Sequence, residues 1–240
     1  RMLRSIYNRG VDMHQAPYVH GLFRDVFTGV DTRQKKAIPI SELHMLLNKD
    51  PQSEKLRRTQ AIANLLFQFC GMPFSDLAHL EKSNLERGLL KYNRTKTGTP
   101  MSIEVLESAQ NAIGGLYNKS DARSSGYPDY LFRILSGAYK RNEEGAYREY
   151  QSALRRFNNE LKSLSRKLRL HSPVTSYTLR HSWATTAKYR GVSIEMISEL
   201  LGHKSIKTTQ IYLKGFELRE RTEVNRMNLY YVRSAPNSRV

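Results

Sequence analysis

Between Tyr147 and Leu168, apolar side chains recur at alternating three- and four-residue intervals, at Tyr147, Tyr150, Leu154, Phe157, Leu161, Leu164 and Leu168. A strand would return to the same face every second residue, so this spacing predicts a helix of about six turns. Arg155, Arg156, Lys162, Arg166, Lys167 and Arg169 fall on its other faces. A helix this long with one apolar stripe needs further helices or a sheet to cover that stripe.

Other segments supply the partners. Residues 1–15 carry Leu3, Ile6, Tyr7 and Val11 at helical spacing with nothing N-terminal to pack against, as in the last helix of a missing domain. Residues 16–37 look like a linker between domains, basic at Arg33, Lys35 and Lys36. Ser41 is the expected N-cap of a helix bearing Leu43, Leu46 and Leu47. Leu56, Ile62, Leu65, Leu66 and Phe69 make a core helix of residues 53–69, ended by Gly71 and Pro73, with a short helix over 75–80 after it. Residues 89–95 and 101–105 alternate as two strands, joined through Lys96-Thr97-Gly98-Thr99-Pro100, a turn with Lys96 at its tip. Residues 119–128 are polar and turn-rich, a surface loop. Thr175 or Ser176, Ser193 and Ser205 are expected caps of three short helices, and Gly202 is a helix stop. The expected class is α+β, mainly helical with a small antiparallel sheet.

Lys and Arg number 39 against 22 Asp and Glu, a formal net charge of +17. Residues 121–240 hold 22 of the basic and 11 of the acidic groups. Such an excess favours a polyanion, because each neutralised phosphate releases counterions. Arg155, Arg166, Lys204 and Lys207, together with the linker cations, are candidate DNA contacts. Cys70 is the only cysteine, so neither an intramolecular disulfide nor a Cys-based zinc site can form, and a reducing cytoplasm is expected. No His-Glu-x-x-His or similar ligand cluster occurs, and neither a metal nor another cofactor is expected. No run reaches the ~18 to 20 apolar residues of a membrane span.

The chemistry concentrates near the C-terminus. Thr178-Leu179-Arg180-His181 is followed by Leu201-Gly202-His203 and, nine residues later, by Tyr212. An arginine offers a donor fork to phosphate oxygens, a histidine can donate or shuttle a proton, and a phenol can attack phosphorus and hold it as an ester. Lys96 on its turn suits protonation of a departing oxygen. Lys96-Thr97-Gly98 also echoes a β-lactamase motif, but no Ser-x-x-Lys is present to supply the nucleophile.

Tyr-Thr-Leu-Arg-His-Ser-Trp-Ala-Thr, then Leu-Leu-Gly-His-Lys-Ser-Ile-Lys-Thr-Thr-Gln-Ile-Tyr, resembles the signature of the tyrosine recombinases, the integrases of phages and mobile elements. The likeness covers residues 38–215, which it implies are a catalytic domain, with residues 1–15 the last helix of a truncated N-terminal core-binding domain. The apolar Leu218, Val224, Met227, Leu229, Tyr230 and Tyr231 of the tail, residues 216–240, suggest that it docks on a neighbouring protomer. It implies Tyr212 as nucleophile, Arg180 as second arginine, His203 as late histidine and Lys96 as hairpin lysine, with His181 supporting from behind. It further implies DNA cleavage without metal or ATP through a 3′-phosphotyrosyl intermediate, a homo-tetramer on two double-stranded DNA sites, accessory DNA-bending proteins, and a bacterial, nucleoid-associated setting. A type IB topoisomerase-like activity and a catalytically impaired DNA-binding regulator are the alternatives.

Two positions depart from the family pattern. Its first histidine is here Tyr177, which can donate a hydrogen bond but cannot act as an imidazole base. Its first arginine, expected two residues after Gly71, is Pro73, and no arginine lies between Arg58 and Arg87. Arg58 or Arg94 could take its place in space, Cys70 could mark a drifted or engineered position, or the site could be disabled.

Overall fold

The computed structural model describes residues 2–24, 26, 37–119, 126–213, 222, 225–227, 229 and 230, without the side chains of Ile211 and Tyr212. Arg33, Lys35 and Lys36, most of the turn-rich loop and most of the tail lie outside the described residues. The chain divides into two units, residues 1–35 and 36–240.

In the first unit, helix α1 (Met2–Asp12) buries none of its residues. Its order comes from Tyr7, whose hydroxyl donates to the Pro17 carbonyl at 2.7 Å, accepts from the Val19 amide at 2.7 Å, and whose ring meets Phe23 edge-on.

The second unit is built on α2 (Ile40–Asn48), α3 (Glu54–Gln68), α4 (Phe74–Ala78), strands β1 (Leu85–Glu86), β2 (Leu89–Asn93) and β3 (Pro100–Glu104), then α5 (Glu107–Leu116), α6 (Glu144–Lys167), α7 (Ser176–Tyr189), α8 (Ile194–Leu200) and α9 (Ile206–Tyr212). The three strands form one antiparallel sheet in sequence order, with Leu90 opposite Ile103 and Tyr92 opposite Met101 on the buried face. The mainly helical α+β expectation therefore holds.

Several boundaries differ from expectation. Pro39, not Ser41, precedes the first turn of α2, because a proline at the start of a helix forfeits only an amide that has no partner there. The short helix begins at Phe74 and ends at Ala78, two residues before the expected stop. Strand β2 ends at Asn93, β1 adds a third strand, and α5 is a helix the spacing did not announce. Tyr147, expected on the apolar stripe of α6, is 64% exposed, and Ala146 and Ala153 are buried instead.

One large core joins α2 to α6, the sheet and Leu179 of α7. Phe157 of α6 stacks on Phe74 of α4 at 4.7 Å between ring centroids and 13° between planes, and so anchors the long helix beside the end of α3. A second, small core holds Ala184, Ile197, Leu201 and Leu213, with Trp183 and Ala187 against it. The site lies where these two cores meet. No described helix is long and apolar enough to cross a membrane.

Candidate active site

Helix α3 stops abruptly. Cys70 and Gly71 adopt φ values of +54° and +65°, and Pro73 follows, so the chain reverses within three residues. A Cβ on Gly71 would stand 3.2 Å from Trp183 Cβ and 3.4 Å from the Arg180 backbone, so only glycine lets α7 come this close. This approach presents the Gly71 carbonyl to α7.

Helix α7 begins with a capping box: the Thr175 hydroxyl accepts from the Thr178 amide at 3.1 Å, and the Thr175 amide donates to the Thr178 hydroxyl at 2.8 Å. One turn on, Arg180 is 7% exposed. It donates through Nη1 to the Gly71 carbonyl at 2.8 Å and through Nη2 to the Leu201 carbonyl at 2.6 Å and to His203 Nε2 at 3.3 Å. Arginine has no acceptor, so Nε2 must accept, and the imidazole proton sits on Nδ1. His203 Nδ1 accordingly donates to the Thr209 hydroxyl of α9 at 2.8 Å.

Ser193 caps α8 through the Met196 amide, and α8 closes on Leu201 and Gly202. Gly202 has φ +63°, and a Cβ there would meet Met101 Sδ at 2.8 Å and Arg94 Cγ at 2.9 Å. The sheet hairpin thus packs directly on this turn. Arg94 follows β2 and is 6% exposed. Its Nε pairs with Asp76 Oδ2 of α4 at 2.7 Å, and its Nη1 donates to the same Leu201 carbonyl that Arg180 uses. The Arg94 carbonyl accepts from the Gly98 amide at 2.8 Å, closing the turn that carries exposed Lys96, and the Thr97 hydroxyl donates to the Gly202 carbonyl at 3.4 Å.

The electrostatics follow from this crowding. Burial, then the charges of Arg180, Arg94 and Lys96, push the His203 pKa down to about 4. His203 is therefore neutral at physiological pH, as its hydrogen bonds require. Tyr92, buried beneath the cluster, has its phenol pKa raised chiefly by burial and then by Asp76.

The expected residues distribute as follows. Arg180 and His203 are in direct contact, and Lys96 lies close enough to act on the imidazole. Tyr212 is the last residue of α9, the helix whose Thr209 holds His203. Tyr177, 43% exposed, is in the first turn of α7, and half-buried His181 follows Arg180. Lys204, Lys207, Arg155 and Arg166 are exposed. Of the two candidate stand-ins for the first arginine, Arg58 donates to the Arg133 carbonyl in a recess lined by Lys55, Phe74, Arg156 and Glu160, whereas Arg94 joins Arg180. Sequence reasoning assigned no role to Asp76 or Thr209. Asp76 stands between Phe74 and Leu77, both buried in the same five-residue helix.

Residues 37–218 match the model of the phage integrase family. The chain belongs to that family. Its curated relatives include a probable integrase/recombinase protein of Methanocaldococcus jannaschii, 28% identical over 83% of this chain and 59% of its own length. Another is the tyrosine recombinase XerD of Halalkalibacterium halodurans, 30% identical over 75% of this chain and 57% of that protein. The chain thus spans less than two thirds of these integrase-family relatives. Among solved structures, a XerA recombinase superposes with a TM-score of 0.58 at 22% identity, covering 83% of this chain and 66% of that one. The Tn1549 transposon integrase in complex with circular intermediate DNA gives 0.61 at 16% identity, covering 93% and 76%. At these identities the structural likeness speaks for the fold, that of a tyrosine recombinase catalytic domain.

Proposed function

We propose that this integrase-family domain cuts and rejoins double-stranded DNA as a site-specific recombinase. The observation that carries the reading is the hydrogen-bonded pair of Arg180 and neutral His203, with Lys96 on the adjoining turn and Tyr212 ending the helix that holds His203. Tyr212 Oη attacks the scissile phosphorus and the bond from phosphorus to the 5′-oxygen breaks, leaving a 3′-phosphotyrosyl ester. Once Arg180 Nη2 turns from His203 Nε2 to the phosphate, that nitrogen is free to take the phenolic proton, and the phosphate anion offsets the cations that depress its basicity. Lys96 gives a proton to the departing 5′-oxygen, Arg180 neutralises the non-bridging oxygens, and Tyr177 adds a hydrogen bond. One phosphodiester is exchanged for another, so no ATP is consumed, and the protein's own cations carry the charge that a metal would otherwise balance.

Exposed Arg155, Arg166, Lys204 and Lys207 contact the DNA backbone in this reading. Four protomers on two sites, DNA-bending accessory proteins and a place on the bacterial nucleoid follow from the family likeness. Relatives solved in complex with DNA support the partner assignment. Pro73, where the family carries an arginine, supports the rival reading of a DNA-binding regulator without catalysis.

Covalent trapping on a nicked duplex decides between them. A protein–DNA adduct formed by the full-length protein and lost in Tyr212→Phe supports strand cleavage. Tight binding without adduct supports the regulator, and plasmid relaxation without strand exchange supports a topoisomerase-like enzyme.

A further inference from the structure

The cluster holds one more cation than the proposed chemistry has used. Arg94 is 6% exposed, yet a buried guanidinium is costly unless its charge and its five N–H donors are answered. Asp76 answers the charge through Nε, and the Leu201 carbonyl takes one Nη1 proton. Nη2 makes no hydrogen bond to any described residue. Arg94 and Arg180 converge on a single carbonyl oxygen, so their Nη groups stand side by side, and both bear on His203. Arg180, Arg94 and Lys96 thus put three cations around one neutral imidazole, and the pair with Asp76 offsets one of them. Such an arrangement is stable in a folded protein when an anion completes it.

We infer that Arg94 is the second phosphate-binding guanidinium of this site, held by Asp76 and donating from Nη2 to a non-bridging oxygen of the scissile phosphate. The inference rests on the strand-cleavage reading above. It also accounts for Pro73: the second guanidinium reaches the site from the sheet hairpin instead of the end of α3. Arg58, occupied with the Arg133 carbonyl and sharing no partner with Arg180 or His203, has no part in this arrangement.

The test uses the full-length protein and a nicked duplex isolated from a random-sequence pool by covalent capture, prepared with either an ordinary scissile phosphate or an uncharged methylphosphonate. Arg94→Ala is expected to slow adduct formation on the phosphate about a hundred- to a thousandfold. Arg94→Lys, which keeps a charge for Asp76, should retain part of the rate. On the methylphosphonate, which has lost the charge that Arg94 neutralises, most of the Arg94→Ala deficit should vanish. The Asp76→Ala/Arg94→Met variant should behave like Arg94→Ala on both substrates, which controls for a merely misfolded single variant. An equal deficit on both substrates would reduce Arg94 to a structural strut and overturn the inference, as would an unchanged rate on phosphate. Failure of the unmutated protein to capture any duplex would instead remove the strand-cleavage reading itself, and this inference with it.

Discussion

Asp76→Ala tests the energetics of the buried pair apart from any chemistry. Asp76 is 3% exposed, pairs with Arg94 at 2.7 Å, and accepts from the Thr95 amide and the Ser75 hydroxyl, each at 3.2 Å. Truncating it leaves the Arg94 charge buried without compensation, a loss of about 3–5 kcal/mol. Against a total stability of about 5–15 kcal/mol that is a large fraction. At roughly 2–4 °C per kcal/mol for a domain of this size, the melting temperature should fall by about 6–20 °C. Adding Arg94→Met removes the stranded charge and fills its volume with an apolar chain, so the double variant should recover most of the loss. The assay is thermal unfolding of the four members of the cycle, followed by circular dichroism at one protein concentration. A single variant that melts within a degree or two of the parent, or a double variant no more stable than Asp76→Ala, would refute the view of Arg94 as a charge that Asp76 must answer.

Other measurements bear on the same site. Gly202→Ala should destabilise by about 1–2 kcal/mol from its left-handed backbone alone and should also slow cleavage, because the new methyl displaces Arg94 and Met101; kinetics and melting together check this. The His203 imidazole, followed by NMR in the free protein, should titrate near 4, below its ordinary 6.5. Because the native state then binds fewer protons than the unfolded one, stability should fall as pH drops from about 6.5 towards 4, and His203→Gln should flatten that part of the profile. Arg58→Ala should leave adduct formation within a few-fold of the parent, in contrast to Arg94→Ala, since its guanidinium is engaged in a different recess.

How much of this was legible beforehand depended on whether a residue's surroundings are local. The period of α6, the Thr175 and Ser193 caps and the Gly202 stop are set by residues within one or two turns, and all appear as expected. Helix α5 was not seen because only Ala109 and Leu116 are buried on it and Gly114 and Gly115 weaken its pattern. Arg94 was named as a candidate beside Arg58 without a means to choose. A signal was nevertheless present: Leu90, Tyr92 and Arg94 occupy alternate positions and all point inward, whereas Arg58 lies on the exposed face of α3. Its partners could not be read at all, because the Leu201 carbonyl is 107 residues away and a main-chain oxygen carries no residue-type signature.

That carbonyl links the chemistry to the order of chain synthesis. Leu201 is fully buried in the small core of α7 to α9, while its oxygen gathers guanidiniums from both halves of the domain. The bonds that define the site, Gly71 to Arg180 and Arg94 to Leu201, close loops of more than a hundred residues. Contacts so distant in sequence form late, after the local helices. A ribosome-bound chain that has released only the large core therefore lacks the assembled cluster of Arg94, Arg180 and His203. Under the strand-cleavage reading proposed above, the capacity to cut DNA would arise last, together with the helix that carries Tyr212.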